Sequence, residues 1–156
     1  MSTFTSDFLR RARARGYISN CTNFNELDAL ASTSTITAYI GFDATASSLH
    51  VGSLMPIMLL RLLQKTGHKP IVLIGGGTTK VGDPSGKDDT RKLLTEEDIH
   101  SNISNMKGIF KRFLSFGEKP TDAVFVNNSD WLENLQYIPF LRDIGRYFSV
   151  NKMLSM

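Results

Sequence analysis

The sequence holds 156 residues, 41% apolar and 21% charged, with 12 Gly and 5 Pro, which suits one globular domain and excludes collagen-like, low-complexity and wholly disordered chains. A formal charge of +3 permits a polyanionic ligand without requiring one. One cysteine, Cys21, rules out an internal disulfide, three scattered histidines predict no tightly bound protein metal, and the charge-free apolar run Leu49 to Leu60 is shorter than the roughly 20 residues of a membrane span.

Residues 1 to 20, rich in Ser, Thr and Arg, admit two readings. One is an organelle transit peptide. The other is a short helix capped by Ser6, with Asp7 in its first turn, Phe8 and Leu9 on an apolar edge, a solvated arginine face and Gly16 as its stop. A second helix is predicted over Asn25 to Ala31, which closes an N-terminal helical segment at residues 1–34. From Thr35 the period becomes two: Ile36, Ala38, Ile40 and Phe42 alternate with Thr37, Tyr39, Gly41 and Asp43, so the last three share one strand face.

After a polar turn at Ala44 to Ser48, Leu49 to Leu63 is apolar on nearly every side and predicts a buried helix. Pro56 is cheap only in a first turn, which makes Ser53 the expected cap; a start at His50 would place a bend at Pro56. Gly67 ends this helix, and Pro70 to Ile74 reads as a strand covered on both faces. Strand, helix, strand implies a parallel sheet with a right-handed crossover, an α/β fold.

Gly75 to Lys87, GGGTTKVGDPSGK, carries five glycines, so its backbone must turn tightly or approach something closely. Thr95, Glu96 and Glu97 open a helix with Ile99, Ile103, Met106, Ile109, Phe110 and Phe113 at helical spacing, broken by Gly117 and Pro120. Ala123 to Val126 predicts a strand. Trp131 to Phe148 predicts one or two helical pieces separated near Pro139, with Trp131 used for packing. His68, in a helix-to-strand turn, is assigned no chemistry.

The glycine-rich segment fails both common nucleotide fingerprints. Gly77 and Gly82 have phosphate-loop spacing, but Asp83 and Pro84 follow; Gly75 and Gly77 precede Lys80 where a dinucleotide motif needs a small residue. A carboxylate at Asp83 repels phosphate and suits an ammonium group. Leu49 to Ser53, in the strand-to-helix turn, is the second candidate, because first-turn N–H groups and the helix dipole favour an anion.

Four tracts together, YIGFDATASSLHVGS at Tyr39 to Ser53, GHKPIVLIGGGTTKVGDPSGK at Gly67 to Lys87, VNNSDW at Val126 to Trp131 and FLRDIGRYFSVN at Phe140 to Asn151, resemble bacterial-type or organellar tyrosyl-tRNA synthetase, a class I aminoacyl-tRNA synthetase. Tryptophanyl-tRNA synthetase, similar in fold, lacks the Tyr-x-Gly-Phe-Asp opening. The resemblance implies a Rossmann-like nucleotide-binding fold, with residues 35–156 as the first part of a catalytic domain. It implies ATP-dependent activation of tyrosine and transfer to tRNA(Tyr), with Mg2+ accompanying ATP.

By that resemblance His50 and Thr45 meet the phosphate chain, and Lys87 and Arg91 meet pyrophosphate. Tyr39 binds the substrate phenol and Asp83 its ammonium. Gly41 and Asp43 line the adenylate pocket, Gly52 leaves room for adenine and Ser53 stands near the ribose. Departures are Ser53 for the second signature histidine, Ala44 where proline is usual, and Ile40; they bear on ATP affinity. The family continues with a lysine-bearing loop and an anticodon-binding region not seen here, so the 156-residue chain alone is expected not to be a competent ligase. A homodimer is expected through apolar residues from Trp131 to Phe148, which could otherwise close this domain's own core, and a cytoplasmic or organellar-matrix location fits the cysteine usage. Two other functions remain open: a non-catalytic tyrosine- or RNA-binding fragment, and a nucleotidyltransferase, against which Tyr39 with Asp83 argues.

Overall fold

The computed structural model describes residues 4–81 and 94–155. Helix α1 (Asp7–Ala14) begins where Ser6 accepts the Leu9 N–H, and α2 (Phe24–Thr33) where Asn23 accepts the Glu26 N–H. Both caps satisfy a first-turn donor that the helix itself cannot. Thr5 and Ser6 donate to the Asp28 carboxylate from both side chain and backbone, the Thr5 hydroxyl foremost, which ties the start of α1 to α2 and holds Asp28 well below the usual carboxylate range. The arginine face is only partly a solvated one, since Arg13 lies over the Phe4 ring at 3.7 Å.

Strands β1 (Thr37–Asp43), β2 (Lys69–Gly75) and β3 (Val124–Asn127) form a parallel sheet in the order β1-β2-β3. The register runs from Thr37 opposite Lys69 to Asp43 opposite Gly75, and from Ile71 opposite Val124 to Ile74 opposite Asn127. The carboxyl ends of all three strands therefore lie together. The alternation predicted for β1 holds: Tyr39, Gly41 and Asp43 are exposed, while Phe42 is buried. β2, paired on both edges, buries Val72 and Ile74 almost completely.

Helix α3 (Val51–Lys65) connects β1 to β2, and α5 (Glu96–Phe110) precedes β3. Ile57 and Leu60 of α3 and Ile99, Ile103, Met106 and Phe110 of α5 join Phe42, Val72 and Ile74 in one core cluster. Phe110 sits edge-on to Phe42 with centroids 4.8 Å apart, a favoured aromatic geometry. A full capping box at Thr95 and Asp98 starts α5. Gly16 and Gly67, at φ +73° and +89°, end α1 and α3. In each case the glycine N–H and the one after it reach back to the last turn, from Gly16 to Arg13 and Tyr17 to Ala12, and from Gly67 to Gln64 and His68 to Leu63.

Two expectations about α3 are corrected. α3 starts at Val51 with His50 as its cap, and Pro56 lies inside it; the His50 ring and carbonyl engage the Gly52 and Ser53 N–H groups and so begin the helix ahead of the proline. Its opening turns are not buried, since Val51, Leu54 and Met55 are exposed. The tight turn expected of the glycine-rich stretch is made as a short helix, α4 (Gly76–Val81). The break expected near Pro139 falls just ahead of it, before α7 (Tyr137–Asp143), and Pro139 lies in the first turn of α7, where its missing N–H costs little.

α7 is preceded by α6 (Ser129–Leu132) and followed by a 3-10 turn at Gly145–Tyr147 and α8 (Val150–Leu154). None of these pieces contains a buried residue among those described. Trp131 is 45% exposed and Phe148 63%, so this apolar segment neither packs its tryptophan away nor closes the domain's own core.

His68 is buried at 4% exposure. Its Nδ1 accepts the Ile36 N–H where the chain enters β1, and its ring meets Phe8 of α1 edge-on. Burial lowers its pKa, so the folded protein favours the neutral imidazole. Its contribution to stability is present above the unfolded imidazole value of about 6.5 and is lost as pH falls through and below it. Denaturant midpoints measured between pH 8 and pH 5 are expected to fall on the acid side, and His68→Asn, which keeps an acceptor that does not titrate, should flatten that slope. Parallel profiles for the two proteins would remove His68 as the cause.

Candidate functional site

At the carboxyl end of β1 the chain turns through residues 44–50 into α3 and encloses a cavity of about 360 Å³. Gly41, Asp43, Thr45, His50, Gly52 and Ser53 all line it, with Phe42, Ala46, Ser48, Leu49 and Pro56. Six of the residues singled out from the sequence thus converge on one cavity. Tyr39 lies on the same exposed strand face as Gly41 and Asp43, outside that lining, with 67% of its surface exposed. Asp83, Lys87 and Arg91 fall outside the described residues.

The His50 ring has a defined orientation. Its Nδ1 accepts the Gly52 N–H at 3.0 Å, so in the neutral ring the proton resides on Nε2, which is left as a donor. Gly52 has a local reason to be glycine: a Cβ there would stand 2.7 Å from His50 Cε1 and 2.9 Å from Nδ1. Absence of a side chain at 52 lets the imidazole fold back as a cap. At the start of α3, a helix of 15 residues, backbone N–H groups and the helix dipole add positive potential beside the cavity.

Beyond the carboxyl end of β2, Gly76 and Gly77 are crowded by β3 and the residues after it. Gly76 N–H donates to Asn127 Oδ1 at 3.1 Å, and Gly77 and Thr78 N–H groups donate to Asn128 Oδ1 at 2.7 and 3.4 Å. The Asn128 amide in turn donates to Thr78 Oγ1. The close approach expected of this segment is realised here, because a Cβ on Gly76 would stand 2.4 Å from Asn127 Oδ1. Lys80 is held between Glu96 and Glu133 at 2.7 and 2.9 Å; hydrogen bonds to those carboxylates raise its pKa.

Thr79, Asn102, Asn127 and Asn128 were not legible as site-shaping residues. Each uses a side-chain amide or hydroxyl on backbone groups distant in sequence, for which no local pattern exists. Thr79 and the asparagine pair left a trace only as members of the tracts at Gly67 to Lys87 and Val126 to Trp131, and Asn102 left none. Among the described residues no three His, Cys, Asp or Glu side chains cluster as a metal site, and no helix is long and apolar enough to cross a membrane.

A second cavity, of about 330 Å³, lies between the carboxyl half of α3 and residues 113–122. Two of its polar side chains are spent on structure: Arg61 donates to the Phe113 carbonyl, and Gln64 bonds the backbone at Ser115 and Thr121.

Residues 31–156 match the family model described as tRNA synthetases class I (W and Y). The chain is 61% identical over 155 residues to the tyrosine–tRNA ligase of Zymomonas mobilis, covering 99% of this chain and 38% of that protein. Against the tyrosine–tRNA ligase of Rhodospirillum rubrum it is 59% identical, over 99% of this chain and 37% of the relative. The chain therefore spans under two-fifths of the length of these curated relatives. Its fold is similar to that of a C-terminally truncated mitochondrial tyrosyl-tRNA synthetase from Coccidioides posadasii, with a TM-score of 0.74 and 28% identity over 96% of this chain and 42% of that structure.

Replacing Gly76 by alanine should lower stability by about 1–3 kcal/mol through the clash with Asn127. In the Asn127→Ala background the same change should cost markedly less, as read from a double-mutant cycle of denaturant midpoints. Equal costs in both backgrounds would mean that Asn127 is not what excludes the methyl group.

Proposed function

The chain belongs to the class I tRNA synthetases of the W and Y group, and from that membership we propose that it forms the ATP- and tyrosine-facing part of a tyrosine–tRNA ligase acting in the cytoplasm. The observation that carries this reading is the cavity at the start of α3, where Thr45 and His50 stand beside first-turn amides. The tyrosine carboxylate attacks the α-phosphorus of ATP, an oxygen–phosphorus bond forms, and pyrophosphate leaves. No protein nucleophile is needed. The work falls to positioning and to donors aimed at charge that develops on phosphate.

In this reading His50 contributes Nε2–H, kept as the protonated nitrogen because Nδ1 is occupied by the Gly52 N–H. Thr45 supplies a hydroxyl from the same lining, while Gly41 and Asp43 border the nucleoside and Ser53 the ribose. Tyr39 takes the substrate phenol and Asp83 its ammonium. A phenol partner discriminates against phenylalanine because an unpaired polar group costs about 1–3 kcal/mol. Lys87 and Arg91 neutralise the departing pyrophosphate. ATP arrives with Mg2+, and the aminoacyl group passes to tRNA(Tyr). Two subunits pair through the uncovered apolar segment from Trp131 to Phe148.

The test uses the chain as its gene encodes it. His50→Ala should slow tyrosine-dependent exchange of labelled pyrophosphate into ATP far more than it weakens tyrosine binding, since a group that meets rearranging phosphate stabilises the transition state. Tyr39→Phe should weaken tyrosine in calorimetry. Equal losses of rate and tyrosine affinity in His50→Ala would make His50 a structural cap only. For subunit pairing, sedimentation at micromolar concentration should show a dimer; a monomer would overturn that part.

A further inference from the structure

Ala44, the first residue after β1, is fully buried, with 0% of its surface exposed. Its two backbone polar groups cannot reach water, and neither is left bare. The Ala44 N–H donates to Thr79 Oγ1 at 3.1 Å, and the Ala44 carbonyl accepts from Asn102 Nδ2 at 2.9 Å. Thr79 comes from α4, inside the glycine-rich segment, and Asn102 from α5 beyond it, so two elements far apart in sequence from β1 grip the same residue. Asn102 is itself 9% exposed and sits among the apolar residues of α5, a place where a polar side chain persists only with a partner. Thr45, beside the clamped residue, lines the cavity and His50 follows five positions later.

We propose that Thr79 and Asn102 are positioning residues for phosphate chemistry: by holding the N–H and carbonyl of Ala44 they fix the loop that presents Thr45 and His50. The proposal rests on the reading of that loop as the ATP-phosphate site. An unbranched polar loop has many conformations, and a shift near 1 Å at a reacting group can cost about a hundredfold in rate. Alanine at 44 leaves an N–H that must be satisfied once buried, and the Thr79 hydroxyl satisfies it. Neither side chain lines the cavity, so neither is expected to touch substrate.

The experiment compares Thr79→Val, Thr79→Ser and Asn102→Ala in the full gene-encoded chain, at a temperature well below melting. Thr79→Val keeps the shape and removes the acceptor; Thr79→Ser keeps the acceptor. Thr79→Val and Asn102→Ala should lower kcat for pyrophosphate exchange by about 10- to 100-fold, with the tyrosine dissociation constant within about twofold and Thr79→Ser within about threefold of the parent. In Thr79→Val, hydrogen exchange at the Ala44 amide should quicken at least about tenfold as its acceptor is lost. Should Asn102→Ala fail to fold, the Thr79 pair decides.

Rates within twofold of parent in Thr79→Val, equal impairment in Thr79→Ser, or tyrosine affinity falling as far as the rate would each overturn the proposal. If the unsubstituted chain catalyses no exchange, it is the ligase reading that fails. The clamp then stands or falls on Ala44 amide protection, and unchanged protection in Thr79→Val overturns it.

Discussion

The turn that leaves β2 has no room for side chains, and the candidate site is arranged around that constraint. Gly75, Gly76 and Gly77 are buried, with β3 brought alongside by the register that sets Ile74 opposite Asn127. Backbone amides in such a place need acceptors, and the two asparagines at the end of β3 supply them. The consequence is a short helix, α4, whose direction is set from outside by β3 and not by its own propensity, which two glycines and two threonines among its six residues make poor. Through Thr79 that helix reaches back to the loop after β1. One packing constraint thereby connects the exits of all three strands.

Among the described residues, the lining of the cavity contains one carboxylate, Asp43, and no lysine or arginine. Positive potential comes instead from the amino end of α3, and the cap at that end is a histidine whose remaining N–H is a donor. The cations suggested by sequence, Lys87 and Arg91, belong to the segment following α4, whereas Lys80 is already engaged by two glutamates.

Apolar surface is distributed unevenly. The cluster around Phe110 is closely packed, yet the segment from Trp131 to Leu154 carries exposed aromatic and aliphatic side chains in succession. Uncovered patches of this extent are uncommon on free monomers. The chain spans less than two-fifths of its curated relatives' length, and the proposed pairing of subunits would cover part of this surface.

Much of the framework was determined by sequence alone, because it is written in local rules. Period-two alternation placed Tyr39, Gly41 and Asp43 on one face, Ser6 and Thr95 announced helix starts, Gly16 and Gly67 announced helix ends, and four ordered tracts specified the family. Local rules also explain the misreadings. A proline at 56 argued for a later start to α3, since the rule against interior proline takes no account of a histidine ring that folds back onto the Gly52 N–H. Only the tertiary structure decided which side chains satisfy the buried amides of Ala44, Gly76 and Gly77. Those bonds join segments that become neighbours through the parallel register, and a buried N–H accepts whichever oxygen the packing brings within reach.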